Sequence, residues 1–224
     1  MVTYSTDVDE LRLGFNDYLR YLDYAGRTPC ENVKREIDEV LSLQRIMTDN
    51  ITGYRILHRA DFTIEKQAVK IGATSLNIGE KIVSAVNDCE YMALFALSAG
   101  RKICQKIDTV SDDIVKSYMV SSLGSMATDR LVEILKSRID REIKEHNTLR
   151  TGPHFGPGLC GWDLNDLFGF FTLFPPDFCD IQLTSAAAMI PIKSFCGIIA
   201  IGTNFKRDAS SCAYCDLKRC FKRR

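Results

Sequence analysis

Between Cys30 and Met47 the apolar residues Val33, Ile37, Val40, Leu41 and Leu43 return at three- and four-residue steps, with Glu31, Lys34, Arg35 and Glu39 between them. That period predicts an amphipathic helix beginning after Pro29. Past a turn at Asn50 the pattern shortens to alternating, β-branched stretches, Thr52–Arg59 and Asp61–Ile64, which predict strands. Gly79–Val86 reads as a short helix ending at Asn87 and Asp88. Cys89–Leu97 is a nearly unbroken apolar run of strand length, stopped by Ser98, Ala99 and Gly100, and predicts a strand buried on both faces. From Asp112 to about His146, Ile114, Val115, Met119, Leu123, Met126, Leu131, Ile134, Leu135 and Ile139 keep the helical period, giving one long helix or two in tandem. Gly124 inside it marks a bend or a close contact. Thr151–Gly158, with two prolines and three glycines, is a loop. Asp163 then caps a helix over Leu164–Phe174 closed by Pro175 and Pro176, and Ile181–Thr184 and Ile198–Ile201 return to strand.

Helices and strands interleave without a regular βαβ repeat, which predicts an α+β fold with a mainly antiparallel twisted sheet, flanking helices and a helical N-terminal region. The expected organisation is a helical region over 1–50, an α+β core over 51–205 and a cysteine-rich basic tail over 206–224.

Composition narrows the setting. A chain of 224 residues with 46% hydrophobic content buries roughly 70% of its unfolded surface. Lys plus Arg and Asp plus Glu both number 29, so no net field draws the protein to nucleic acid or to an anionic membrane. No apolar stretch approaches the ~20 residues needed to span a bilayer, and the start is polar and acidic, so a cytoplasmic protein is expected. Nine cysteines, an odd number, favour reduced thiols over a disulfide framework in that compartment.

A third of those cysteines, Cys212, Cys215 and Cys220, lie in the last thirteen residues among Asp216, Lys218, Arg219, Lys222, Arg223 and Arg224, where no apolar run accounts for them. Two intervening residues let the first pair face one centre, and four more bring round the third, a spacing suited to a metal or an iron–sulfur cluster. The surrounding cations favour thiolate. A fourth ligand must come from elsewhere in the fold, with Cys160, Cys179 and Cys196 as candidates. The plain alternative is a reduced, frayed tail.

Three features recur in a telling order: Asp129-Arg130-Leu131-Val132-Glu133 in the long helix; His154-Phe155-Gly156-Pro157-Gly158-Leu159 leading to Trp162, Asp163, Leu164, Leu167 and Phe168; then Ala188-Met189-Ile190-Pro191 with Ser194 and Gly197. That order resembles the reactivation domain of cobalamin-dependent methionine synthase, in the form of the stand-alone proteins of anaerobes. Tyr18–Gly26 and the cysteine-rich end are also similar to those proteins, so the resemblance spans nearly the whole chain.

The resemblance implies repair of a corrinoid: binding of S-adenosylmethionine and presentation of its methyl group to cob(II)alamin under reduction by an electron donor. The cobalamin is carried by a corrinoid-binding partner, or by a methionine synthase lacking this domain. It further implies that Glu133 helps hold the ligand, that the backbone of Gly156, Pro157 and Gly158 approaches it, and that Ser194 and Gly197 stand beside it. His154 and Leu159 occupy the places where the family carries Arg and Tyr. Arg pairs a carboxylate through a bidentate fork that a histidine does not reproduce, and Arg150 stands nearby in sequence.

Each residue also has a structural reading: Glu133 as a solvated helix residue, the loop as a tight turn between two helices, Trp162 as a packed anchor, His58 and His146 as surface residues. Two functions remain open. One is reactivation by reductive methylation, as an enzyme or as an accessory subunit. The other is an iron–sulfur electron-transfer or corrinoid-reducing protein that does not bind S-adenosylmethionine; a module with a structural zinc is the background case. No nucleophile, base and orienter stand at recognisable spacing, which argues against hydrolytic chemistry.

Overall fold

In the computed structural model, which describes residues 1–24, 26–143, 148–206, 211–216 and 220, the buried apolar runs form the middle of one antiparallel sheet. The chain opens with β1 (Val2–Tyr4), then α1 (Val8–Leu11), α2 (Phe15–Tyr21) and α3 (Glu31–Ser42), and enters β2 (Ile51–His58). Three short strands, β3 (Phe62–Ile64), β4 (Val69–Ile71) and β5 (Thr74–Leu76), precede α4 (Gly79–Val86) and β6 (Tyr91–Ser98). There follow α5 (Arg101–Thr109), α6 (Ile114–Glu142), β7 (Arg150–Phe155), α7 (Asp166–Phe171), β8 (Gln182–Leu183), β9 (Met189–Ile190) and β10 (Ser194–Gly202). The main sheet has the order β1-β2-β6-β10-β7, with β3-β4-β5 and β8-β9 as separate small sheets. The α+β class with a mainly antiparallel sheet is therefore what the chain forms.

The central strands read as continuous apolar runs because both faces are covered. Ala93, Phe95 and Leu97 of β6 and Ile199 and Ile201 of β10 face a core shared with α3, α5 and α6, while Met92, Leu94, Ala96, Ile198 and Ala200 face a second core under α4 and α7. The long helix α6 starts where Asp113 accepts the Lys116 N–H at 2.9 Å, a side-chain cap. It packs on the sheet and is covered in turn by the N-terminal helices, so Val120, Ser122 and Val132 are buried as well as the Leu123, Leu131 and Leu135 stripe. Tyr18 locks this arrangement, its hydroxyl donating to the Met119 carbonyl at 2.5 Å.

Several sequence expectations shift. The Thr151–Gly158 stretch is loop only from Gly156, since β7 pairs along β10 through His154 and Phe155. Gly152 and Pro153 sit at an irregularity opposite Ile199–Ile201, and a proline without an N–H is tolerated there because β7 is an edge strand. The helix expected over Leu164–Phe174 is shorter, Asp166–Phe171, and Asp163 accepts the Asn165 N–H at 2.9 Å just ahead of it. The helix expected over Cys30–Met47 is α3, which ends at Ser42 and continues as a 3-10 turn over Leu43–Ile46. The region 1–50 also contains a strand, β1, which pairs with Thr52–Tyr54 of β2. Helix α5 was not expected at all. Its N–H groups at Arg101 and Lys102 are capped by Asp49, at 2.8 and 3.1 Å. Residues 144–147, including His146, and the tail cations Lys218, Arg219 and Lys222 to Arg224 lie outside the described residues.

Candidate functional site

The glycine–proline loop is built from two consecutive tight turns. Pro157 and Gly158 occupy the middle of the first, closed by the Leu159 N–H donating to the Gly156 carbonyl at 3.0 Å. Gly158 takes φ +88°, the left-handed value that the third position of a type II turn needs, with Pro in the position before it. The second turn runs from Leu159 to Trp162, whose N–H donates back to Leu159 at 2.9 Å. Its central residues, Cys160 and Gly161, both have positive φ, 52° and 91°, as in a type I′ turn. Trp162 anchors the end: its ring is 2% exposed and its indole N–H donates to Asp166 at 3.0 Å. The turns thus join an edge strand to α7, where a turn between two helices was the plain expectation.

The loop's first residue lies hard against β10. A Cβ on Gly156 would stand 2.3 Å from the Cys196 carbonyl oxygen and 2.7 Å from the Phe195 ring, and one on Gly197 would stand 1.8 Å from the Phe155 carbonyl oxygen. Only bare backbone fits on both sides of this crossing. His154 lies beside it with its ring edge-on to Phe195 at 6.0 Å. Pro157 is half-buried, whereas Gly158 and Leu159 are exposed, Leu159 by 41%. The structure therefore brings His154, Gly156 and Gly197 together. Ser194 enters β10 with its hydroxyl donating to the Pro191 carbonyl at 2.6 Å.

Next to Ser194, Lys193 lies across Gly124 of α6, where a Cβ would meet its side-chain carbon at 2.8 Å. Gly124 thus marks a close contact with a strand-end side chain. The Lys193 ammonium donates to the Ser121 and Ser125 hydroxyls at 2.8 and 3.1 Å. Burial holds its pKa below the ordinary lysine value. Sequence reasoning passed over this residue, although an unexplained glycine within a helix was a signal that something packs there.

Glu133 belongs to a different surface. Its carboxylate accepts from Arg130 on the same helix at 2.6 Å. It lines a cavity of about 320 Å³ with Arg12, Asp17, Arg20, Tyr21 and Asp129, and none of residues 154–159 lines it. Tyr21 donates to Asp129 at 2.5 Å, and burial together with that carboxylate raises the phenol's pKa. Arg20 and Tyr21 of the N-terminal stretch and Asp129, Arg130 and Glu133 of the long helix, far apart in sequence, meet here. Arg12 and Asp17 were not singled out from the sequence, because only the packing of the α1 end and α2 on α6 gives them a common cavity with Glu133.

Of the cysteines, Cys196 is buried in the sheet and Cys179 is buried with its thiol on the Ala96 carbonyl at 3.3 Å. Burial pushes the Cys179 thiol up to about 12 and raises Cys196 likewise. Cys160 is half-buried beside the tail, within hydrogen-bonding reach of the Cys215 thiol and with its own thiol 3.9 Å from the Ser211 carbonyl. Its pKa is raised by burial and by Cys215. The tail turn Ser211–Tyr214 docks on β7, with the Ser211 hydroxyl donating to the His154 carbonyl and Tyr214 edge-on to Phe155 at 5.7 Å. Among the described residues no group of three Cys, His, Asp or Glu side chains is close enough together to hold a metal ion.

Comparison with known proteins places this fold. No protein-family model matches the chain, and no curated protein matches it in sequence. A crystal structure of the MetH reactivation domain bound to AdoHcy superposes with a TM-score of 0.64 over 93% of this chain and 80% of that one, at 14% sequence identity. The chain thus has the fold of that domain. No helix among the described residues is long and apolar enough to cross a membrane.

Proposed function

We propose that this protein reactivates an oxidised corrinoid carried by a partner protein, using S-adenosylmethionine as methyl donor. The observation that carries the reading is the correspondence of 93% of the chain with a reactivation domain that holds AdoHcy, the product left when S-adenosylmethionine gives up its methyl group. In the proposed reaction one electron from a donor protein takes cob(II)alamin to cob(I)alamin, and the cob(I) electron pair accepts the methyl group as CH3⁺, leaving methylcob(III)alamin and S-adenosylhomocysteine. The protein's own contribution is binding and positioning.

The backbone crossing of Gly156 on Gly197 supplies a wall without side chains, so a ligand reaches peptide N–H and C=O groups directly. His154, Pro157, Gly158, Leu159 and Ser194 complete that wall, and Glu133, on the separate cavity it lines with Arg12 and Tyr21, takes the ammonium end of a ligand that reaches across from the wall. The partner is a corrinoid-binding protein or a methionine synthase without its own reactivation domain. A thiolate-held metal or iron–sulfur centre at Cys212, Cys215 and Cys220 belongs to the same reading.

Titration calorimetry with S-adenosylmethionine and S-adenosylhomocysteine tests it. Binding to the parent, weakened about tenfold or more in Glu133→Ala, is the expected result, since loss of one charge-assisted bond is worth about 1.5–3 kcal/mol. The side chain of Glu133 is 65% exposed and its ion pair contributes little to folding, so a loss of affinity there reports on the ligand. If neither compound binds and Glu133→Ala behaves as the parent, the methyl-donor reading falls. The second reading, an iron–sulfur or corrinoid-reducing accessory protein, then takes its place. Leu159, 41% exposed where the family carries Tyr, and His154 in place of Arg favour that alternative.

A further inference from the structure

The sequence leaves the tail cysteines one ligand short, and three thiols elsewhere compete for the place. The structure separates them. Cys179 packs against Gly53 of β2, its thiol 2.6 Å from where a Cβ would stand. Its thiol also reaches the Ala96 carbonyl of β6 at 3.3 Å, so in the sheet order β1-β2-β6-β10-β7 it lies two to three strands from the edge where the tail docks, or about 10–14 Å at the usual strand spacing. Cys196 points into the core beneath β10 and is 1% exposed. Cys160 alone of the three faces the tail: its thiol is in reach of Cys215 and lies 3.9 Å from Ser211, the first residue of the tail turn. The turn itself sets Cys212 and Cys215 together, the Cys215 N–H donating to the Cys212 carbonyl at 3.4 Å.

Cys160 is held at φ +52°, in a turn position where Gly or Asn is the unstrained choice. Such a conformation costs about 1–3 kcal/mol in a non-glycine residue, and such strain gathers at functional sites. Three further contacts hold the tail at this spot: Ser211 to His154, Tyr214 on Phe155, and Lys81 to Asp216.

We infer that Cys160 is the fourth thiolate of a Cys160, Cys212, Cys215 and Cys220 centre for a thiophilic metal, zinc or an iron–sulfur cluster, and that this centre clamps the tail onto the two-turn loop. The inference rests on the metal part of the reading above and not on S-adenosylmethionine binding. No three of these thiols stand close enough together in the structure to hold an ion, so Cys212 and Cys220 must close on the Cys160–Cys215 pair as the metal enters, and each ligating thiol releases its proton to solvent. With zinc, four thiolates leave the centre with a net charge of −2, which the cations of the tail sequence offset. Because Cys160 follows Leu159 directly, the clamp fixes the loop whose other end crosses Gly197, so occupancy of the metal centre governs order at the proposed ligand wall.

The test uses the full chain prepared without oxygen and analysed for zinc, iron and sulfide. About one zinc, or iron with matching sulfide, per chain is expected. Cys160→Ser and Cys215→Ser should each weaken metal binding at least tenfold, while Cys30→Ser, at an exposed site away from the cluster, leaves it unchanged. Alkylation of the native parent keeps the question open to refutation should Cys160→Ser fail to fold. With metal bound, Cys160, Cys212, Cys215 and Cys220 should all react at least tenfold more slowly, and a chelator should release all four together. Protection of the three tail cysteines with Cys160 reacting at its metal-free rate would overturn the fourth-ligand assignment. No metal in fresh protein, and none taken up from zinc sulfate or from ferrous iron with sulfide, would overturn the centre altogether. Metal binding without calorimetric S-adenosylmethionine binding would sink the methyl-donor reading and leave this one standing.

Discussion

Gly156→Ala tests the physical core of the site, the contact of the loop with β10. The added Cβ would stand 2.3 Å from the Cys196 carbonyl oxygen, against ordinary contact from 3.4 Å upward, so loop and strand must part by about 1 Å. The strand cannot yield, because Cys196 is paired in register with Ala96 of β6 and is 1% exposed. The displacement falls on the loop. Forcing one extra methyl into such a contact costs about 1–3 kcal/mol. At this chain length each kcal/mol lowers Tm by about 2–4 °C, so a drop of about 2–12 °C is expected in a thermal melt followed by circular dichroism. A misplacement of about 1 Å should also slow any methyl transfer by roughly 10–100-fold. A variant melting within about 1 °C of the parent would refute the claim that backbone alone fits at this crossing.

Three other outcomes follow from the packing. Burial pushes the Tyr4 phenol from 10.0 up to about 12 and raises Tyr18, Tyr21 and Tyr54 in the same direction. A raised folded-state pKa gives stability that is fully present below the unfolded value and lost as pH climbs through the folded one; Tm should therefore fall between pH 10 and 12, and a flat Tm across that window would contradict the burial of these rings. Tyr18→Phe removes the hydroxyl bond to Met119 and should cost about 1 kcal/mol, read as a lower urea midpoint with unchanged slope; an unshifted midpoint would deny the bond a role. In native protein an alkylating reagent should reach Cys30 first and Cys89, Cys179 and Cys196 only on unfolding, since these three are buried and their thiols are held protonated; early mass-spectrometric labelling of Cys196 would place it outside the core.

What the sequence displayed plainly was whatever is buried on both sides. β6 and β10 carry unbroken apolar runs because cores lie on each face of them, and α6 keeps its period for 29 residues. The edge strand β7 was hidden by Gly152 and Pro153, residues that an unpaired edge tolerates but that read locally as a loop. Helix α5 offers only Ile103, Cys104 and Ile107 in nine residues, and its cap, Asp49, is 52 positions away from Arg101. The loop and its contact with β10 could be anticipated from Gly156 and Gly197. The surroundings of Glu133 could not, because Arg12 at the end of α1 and Asp17 of α2 reach it only when these helices pack on α6. Likewise three cysteines were equal candidates to join the tail until the fold put Cys160 on the tail's edge and Cys179 between β2 and β6, at least two strands away.

The most direct test of corrinoid reactivation is methyl transfer itself. The protein would be mixed anaerobically with a corrinoid-binding protein in the cob(II)alamin state, a strong one-electron reductant and S-adenosylmethionine labelled in its methyl group. The account predicts conversion to methylcob(III)alamin with one labelled methyl per cobalt and one S-adenosylhomocysteine formed, at a rate that depends on this protein and falls in Gly156→Ala and Glu133→Ala. Label that stays in S-adenosylmethionine while the cobalt remains cob(II), with every component present, would contradict it.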